Sequence, residues 1–576
     1  MIKISDLIFN IIADYGIDTV FTVSGGGCMH LIDSLGKNKK LKYICNHHEQ
    51  ACAMAAESYA RVKHKPGCIL VTTGPGGTNT LTGVLCAYQD SIPMIVISGQ
   101  SPTDQLSKHT GCRQIGQQEF NIVDTVKSMT KYSVTITDKR DILYHLEKAI
   151  YLAESGRPGP VWLDIPLDVQ SSEVCLSTLR VFTRPKIKRS IIDYYKRYQF
   201  VSLLKNSCKP IVVVGGGVRA SNSIDKLKKF LDITKIPVMS GPHSAVDIIN
   251  TDYEFYMGRF GLLGQRTSNQ IIQESDLVIS LGSRLNPKMT GYDQKQFAPN
   301  AKKVIIDIDK YEIKKLKFAN KYSWNTDLNS FFDYVLPKIQ YTNIESWHNY
   351  TKTKRSTENL VLDKHKNLTD YVSTYVFSNT LEKYLSKDSI IVTSDGTAHV
   401  IPLKTINLKY NQRLFSNEGT APMGYGLPAA IGAYYGSSLS PIVCIEGDGS
   451  IMMNLQELET LSNHKLPIKL FIINNQGYLS IKLTQNSFFK GHLVGSDTSS
   501  GVSIPSFAKI ASAFNIPYVA ITNNDKLDTI LNNVFSTQAL QIIELFCDPN
   551  ELHEPKVSAK GFDINGKIIP GNLSDI

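Results

Sequence analysis

The chain has 576 residues, 62 Lys and Arg against 52 Asp and Glu for a formal net charge of +10, 42% hydrophobic residues and a mean hydropathy of −0.13. This composition excludes a disordered or membrane-embedded chain, and the length exceeds one ordinary core, so about three to four domains are expected. The basic residues are dispersed, which argues against nucleic acid and predicts a solvated basic surface compatible with small anionic substrates.

Along the first residues, Asp6 and Asp14 interrupt the apolar positions and no small-residue cleavage site follows, so Met1–Gly16 does not read as a secretory signal. Apolar runs elsewhere are broken by Gly, Pro or charge short of a membrane span, and a cytoplasmic location is the expectation. The ten cysteines show no CxxC pair and no metal-ligand spacing, and are read as reduced thiols.

Residues 1–172 alternate strand and helix signals. A helix is predicted over Ser5–Tyr15, a strand over Thr19–Val23, a helix over Glu49–Arg61, a strand over Cys68–Thr73, a Gly-rich turn at Gly74–Gly77 and a strand over Met94–Ser98. The polar stretch Gln170–Arg189 reads as a linker. A second α/β unit, residues 190–338, opens at Ile211–Val214 followed by Gly215-Gly216-Gly217, with strands near Leu277–Leu281 and Val304–Ile308. The lysine-bearing Gln340–Lys366 reads as a second linker, and a third unit, residues 368–550, holds strands at Ile390–Thr393, Ile442–Ile445 and Leu470–Ile473. Residues 551–576 read as a loose tail. The fold class expected is α/β, with three doubly wound parallel-sheet domains.

The strongest chemical signal is Gly447-Asp448-Gly449-Ser450 after one apolar strand and Asn474-Asn475 after the next, with Asp448 and Asn475 separated by 27 positions. That spacing fits one βαβ crossover and sets a carboxylate and an amide at neighbouring strand ends, where hard-oxygen ligands for Mg²⁺ are expected. Gly449 and Ser450 are predicted to open a helix whose N–H groups favour a phosphate.

This pattern resembles the cofactor motif of thiamine-diphosphate enzymes, and nearly the whole chain resembles their acetolactate synthase group. His48-Glu49-Gln50, Gly74-Pro75-Gly76-Gly77-Thr78-Asn79, Gly156-Arg157-Pro158-Gly159-Pro160 and Met423-Gly424-Tyr425-Gly426-Leu427-Pro428 match in family order. The resemblance implies pyrimidine-binding, central and diphosphate-binding domains, with active sites between subunits of a homodimer or homotetramer. It implies that Glu49 is the catalytic glutamate facing the aminopyrimidine nitrogen, that Met423 bends the cofactor, and that Pro75 and Asn79 line its pyrimidine side. Gln118 matches a glutamine near the reaction centre, His399 a histidine on the diphosphate side, and Gly477 a further cofactor and metal contact beside Asp448 and Asn475. Ala398 departs from the glutamine usual beside that histidine.

In the central unit, a glycine turn alone is a weak nucleotide signal. Gly215, Gly258, Arg284 and Asp307 resemble contacts to a structural FAD, although Asn286 and Lys288 replace an aspartate and an arginine of the pattern; an empty or ADP-binding domain is the alternative. The implied activity is carboligation: a 2-oxo acid donor, pyruvate foremost, loses CO₂ and its two-carbon unit joins a carbonyl acceptor, a second 2-oxo acid or a nucleotide-linked keto-sugar. Thr484 stands nine positions after Asn475, where the branched-chain synthases carry tryptophan, and this departure points away from 2-oxobutyrate. Simple decarboxylation, or a non-catalytic cofactor-binding homologue, are the other readings.

Overall fold

Runs such as Ile211–Val214 and Leu470–Ile473 are buried at every position rather than alternately, as expected for inner strands of parallel sheets covered on both faces. The computed structural model describes residues 1–185, 194–341, 344–409, 411–437, 440–566, 568–569 and 571–575. It contains three six-stranded, all-parallel sheets, the three α/β domains expected.

The first sheet comprises β1 (Thr19–Thr22), β2 (Lys42–Cys45), β3 (Gly67–Val71), β4 (Met94–Gln100), β5 (Tyr132–Thr135) and β6 (Pro160–Pro166), in the order β2-β1-β3-β4-β6-β5. The central sheet comprises β7 (Pro210–Val214), β8 (Val238–Ser240), β9 (Tyr256–Arg259), β10 (Leu277–Leu281), β11 (Lys302–Asp307) and β12 (Lys321–Asn325), ordered β9-β8-β7-β10-β11-β12. The third comprises β13 (Ile390–Thr393), β14 (Arg413–Phe415), β15 (Ile442–Gly447), β16 (Ile468–Asn474), β17 (Tyr518–Ile521) and β18 (Gln541–Phe546), ordered β14-β13-β15-β16-β18-β17. The first and third sheets therefore share one strand order. In each, the direction of winding reverses beside the strand that starts the sheet, which opens a crevice at the carboxyl ends.

Helix α1 (Glu49–Lys63) joins the first domain to α3 (Gly426–Gly436) of the third, with α2 (Thr397–Thr405) between them in sequence. Ala51, Ala53, Ala55, Ala56 and Ala60 make α1 thin enough for close approach, and a Cβ on Gly432 would lie 1.9 Å from the Ala55 carbonyl oxygen. Buried Glu57 completes this seam, accepting from Arg61, Asn417 and Tyr425.

Both expected linkers carry ordered structure. Gln170 is buried and its amide donates to the carbonyls of Gly27 and Ile165 at 2.8 and 2.7 Å; residues 186–189 of that stretch lie outside the described residues. Gln340–Lys366, of which 342 and 343 also lie outside them, holds the helix Glu345–Ser356. Only Trp347, His348 and Thr351 of that helix are buried, so a single narrow apolar stripe was hidden by polar composition. The segment after residue 551 is likewise not loose: Val557 and Leu573 enter the central core, and Glu551 and His553 are buried. Its anchors are too far apart to form a periodic pattern.

Candidate active site

Asp448 follows β15 and Asn475 follows β16, neighbouring strands of the third sheet. Asp448 is 1% exposed; its carboxylate accepts from the N–H of Gly449 at 2.7 Å and of Gly477 at 3.1 Å, and burial pushes its carboxyl up to about 7. Asn475 donates its amide to Thr397 Oγ1 at 3.2 Å, whereas its buried Oδ1 has no hydrogen-bond partner. A buried carboxylate beside an unpartnered amide oxygen is a donor set that suits Mg²⁺. Gly477, at φ 136°, adopts a backbone open to glycine, and a Cβ there would lie 2.5 Å from the Ser496 carbonyl.

Gly449 and Ser450 do not open an α-helix. The chain makes one 3₁₀ turn, Ile451–Met453, and the next α-helix starts at Glu457, so no helix dipole begins at this loop. The Asn454 amide, just after this turn, donates to the Gly424 carbonyl at 2.8 Å. Ser450 Oγ meanwhile accepts from the Gly424 N–H at 2.8 Å, which ties the phosphate-side loop to the turn bearing half-buried Met423. A Cβ on Gly449 would lie 2.3 Å from the Tyr478 ring.

On the first domain, His48 caps α1 by accepting from the Gln50 N–H at 3.0 Å, and Glu49 occupies the first helical position with 9% exposure. Glu49 Oε2 accepts from Asn79 Nδ2 at 3.0 Å. Pro75 opens the short helix Pro75–Thr78 that delivers Asn79, and Gly74, at φ 60°, lies so close to Gln118 that a Cβ would meet its carbonyl at 2.5 Å. Glu49, Pro75, Asn79 and Gln118 thus gather at one end of this sheet, with the Gln118 side chain exposed. Hydrogen bonds from the Asn46–Gln50 segment to the third domain of the same chain reach Glu457 and Asn454.

His399 Nε2 lies 3.1 Å from Glu418 Oε2. Thr397, which holds the Asn475 amide, meets His553 Nε2 at 3.0 Å, and burial pushes that imidazole down to about 3. Thr397, Glu418, His243 and His553 escape sequence reasoning because each comes from a different segment and none stands in a spaced motif.

In the central domain, the winding reverses between β7 and β10. A Cβ on Gly215, after β7, would lie 2.3 Å from the carbonyl of Gly282, after β10, so only glycine permits the approach of these tips. Asp307 ends β11; it accepts from the Asp309 N–H at 2.8 Å, and burial pushes it up to about 6. Arg284 donates to the Gln89 carbonyl at 3.2 Å across to the first domain. Gly258 lies apart, on edge strand β9, where a Cβ would meet Gln265 Oε1 at 2.1 Å. Gly215 and Arg284 follow, and Asp307 ends, strands that are consecutive in the sheet, at the crevice where nucleotides bind in such folds.

Three family models match in order: thiamine pyrophosphate enzyme, N-terminal TPP binding domain, over residues 2–125; the central domain over 198–333; and the C-terminal TPP binding domain over 396–545. The chain belongs to the thiamine pyrophosphate enzymes. Within them it is similar to the acetolactate synthase isozyme 2 large subunit of Escherichia coli K12, 31% identical over 93% of this chain and 94% of the relative. It is also similar to the chloroplastic acetolactate synthase of Arabidopsis thaliana, 29% identical over 99% of this chain and 85% of the relative. The isozyme 1 large subunit of E. coli K12 is 27% identical over 96% of this chain and 95% of its own length.

Proposed function

We propose that this chain is a thiamine-diphosphate-dependent carboligase that decarboxylates a 2-oxo acid, with pyruvate the expected donor, and joins the two-carbon unit to a carbonyl acceptor. The observation that carries this reading is the pairing of buried Asp448 with the unpartnered Oδ1 of Asn475, at the crevice of a domain whose family binds this cofactor. When bound, thiamine diphosphate supplies an electron sink for loss of CO₂. Asp448, Asn475 and the backbone at Gly477 would hold Mg²⁺ against its diphosphate, with Gly449, Ser450 and His399 around that end and Met423 beneath the cofactor. Glu49, oriented by Asn79, would hold a proton at the aminopyrimidine, with Pro75 and Gln118 alongside.

Glu49 and the residues proposed to hold the metal belong to different domains, and the family resemblance implies a homodimer or homotetramer in which one subunit's Glu49 serves cofactor held by another. FAD in the central domain is supported by Gly215, Arg284 and Asp307, with Gly258 contributing strand geometry. No helix among the described residues is long and apolar enough to cross a membrane, and a cytoplasmic enzyme without nucleic-acid partners is the reading adopted.

Product analysis tests the reaction. Purified protein given pyruvate, thiamine diphosphate and Mg²⁺ is expected to release CO₂ and form a branched hydroxyketone with a suitable acceptor. Acetaldehyde as the sole product with every acceptor would make the enzyme a decarboxylase instead.

A further inference from the structure

Gln118 stands on a stretch of backbone that belongs to no helix or strand, at φ 57°, a left-handed conformation uncommon in a residue with a side chain and kept only where the surroundings impose it. Four successive carbonyls of this stretch each accept from a side chain. Gln117 accepts from Ser101 Oγ at 3.1 Å, Gln118 from Thr73 Oγ1 at 3.4 Å, Glu119 from Gln114 Nε2 at 3.2 Å and Phe120 from Gln100 Nε2 at 2.9 Å. Three of these donors, Thr73, Gln100 and Ser101, stand at or just past the carboxyl ends of β3 and β4. The sheet itself therefore supplies the mould for the stretch.

Gln100 is the centre of this arrangement. It ends β4, is 2% exposed, and uses all four hydrogen-bonding positions of its amide. Nε2 donates to the Phe120 carbonyl at 2.9 Å and to Asp164 Oδ2 at 3.0 Å, while Oε1 accepts from the Thr73 hydroxyl at 2.8 Å and the Ser101 N–H at 2.9 Å. Because a backbone N–H only donates, Ser101 fixes which end of the amide is oxygen. Asp164, buried on β6, accepts in turn from Ser98 Oγ at 2.6 Å and Thr135 Oγ1 at 3.0 Å, and Ser98 accepts from Trp162 Nε1 at 2.8 Å. A buried network satisfied in this way is rigid. The single Thr73 hydroxyl proton lies closer to Gln100 than to the Gln118 carbonyl, so Gln100 also sets Thr73. Thr73 leads into Gly74, which abuts the Gln118 carbonyl, and then into the Pro75–Thr78 helix that delivers Asn79 to Glu49. One side chain thus fixes the spacing between the segment that carries Gln118 and the segment that orients Glu49.

We propose that Gln100 is a positioning residue for the reaction: through Phe120 and Thr73 it holds Gln118 in register with Asn79 and Glu49. This rests on the carboligase reading and on the place given there to Gln118. Gln100 is buried beneath both segments and acts through them.

The test uses the full chain with thiamine diphosphate, Mg²⁺ and pyruvate, and reads CO₂ release. Gln100→Glu keeps the shape of the side chain, removes both amide protons and sets a second carboxylate against Asp164. Its kcat is expected to fall roughly tenfold to a hundredfold, the cost of a misplaced group. In a Gln118→Ala background the same substitution is expected to cost less than about twofold, because the group that it positions is already gone. Without cofactor, amide hydrogen exchange over residues 117–120 should rise about tenfold in Gln100→Glu, with no rise along β3. If Gln100→Glu does not fold, Thr73→Val carries the same cycle, with a loss of about threefold for one hydrogen bond that Thr73→Ser recovers. Equal losses in both backgrounds, an unchanged kcat in Gln118→Ala, or unchanged exchange over residues 117–120 overturns the assignment. Absence of CO₂ release from pyruvate and every other 2-oxo acid by the wild type would overturn the proposed function and this inference with it, whereas CO₂ release with independent losses overturns this inference alone.

Discussion

The amide of Asn475 donates to the Thr397 hydroxyl at 3.2 Å, and that hydroxyl meets His553 Nε2 at 3.0 Å. In this Asn475–Thr397–His553 relay the Asn475 amide is held with its Oδ1 unspent, the atom proposed above to hold Mg²⁺. His553→Ala removes roughly one hydrogen bond, worth about 0.5–1.5 kcal/mol, so Mg²⁺ affinity should weaken about threefold to tenfold. Titration of Mg²⁺ by calorimetry in the presence of thiamine diphosphate measures this, and an unchanged affinity would contradict the relay.

The same residue makes stability depend on pH. Burial holds His553 at about 3 in the folded chain, against an ordinary value of 6.5, so between these limits the unfolded chain binds a proton that the folded chain refuses. The contribution of His553 is therefore complete above pH 6.5 and declines as pH falls through that window, by about 1.4 kcal/mol per unit. Wild type minus His553→Gln stability, measured by urea unfolding from pH 7 to pH 5, should show this slope. A flat difference would contradict it.

Gly432 in α3 is expected to tolerate no side chain, since a Cβ would lie 1.9 Å from the Ala55 carbonyl oxygen of α1. Gly432→Ala must push apart the helices α1 and α3, which join the first and third domains, and a loss of about 3 kcal/mol is expected. Gly26→Ala, where no atom lies within 4 Å of the added carbon, serves as the control and should change unfolding midpoints little.

Flavin content tests the central domain. If the Gly215–Gly282 crevice holds FAD, the purified chain should carry about one flavin per chain, released by acid and visible in its absorbance, and Arg284→Ala should lower that occupancy. A colourless protein that takes up no added FAD would leave the crevice to another role.

Much of this was legible in sequence because inner parallel strands announce themselves: Ile390–Thr393 and Leu277–Leu281 are continuous apolar runs and form strands at those bounds. Asp448 and Asn475 were legible for the same reason, each standing at the end of such a run. Strands such as Lys42–Cys45, with only Ile44 buried, carry too little pattern to be read. The helix expected at Gly449 is a 3₁₀ turn over Ile451–Met453, in a loop tied to the Gly424 turn by Ser450 and Asn454, contacts that no local spacing announces. His243, Glu418 and His553 were invisible because their meeting depends on the packing of the domains and not on spacing.

The decisive measurement is hydrogen–deuterium exchange at the C2 position of bound thiamine diphosphate, followed by quenched-flow NMR in wild type and in Glu49→Gln. Glu49 is held by Asn79 at 3.0 Å, and in the role proposed for it, holding a proton at the aminopyrimidine, its substitution should slow exchange roughly 10²–10⁴-fold while cofactor stays bound. Exchange at the wild-type rate in Glu49→Gln would contradict the role given to this glutamate, and with it the catalytic site described.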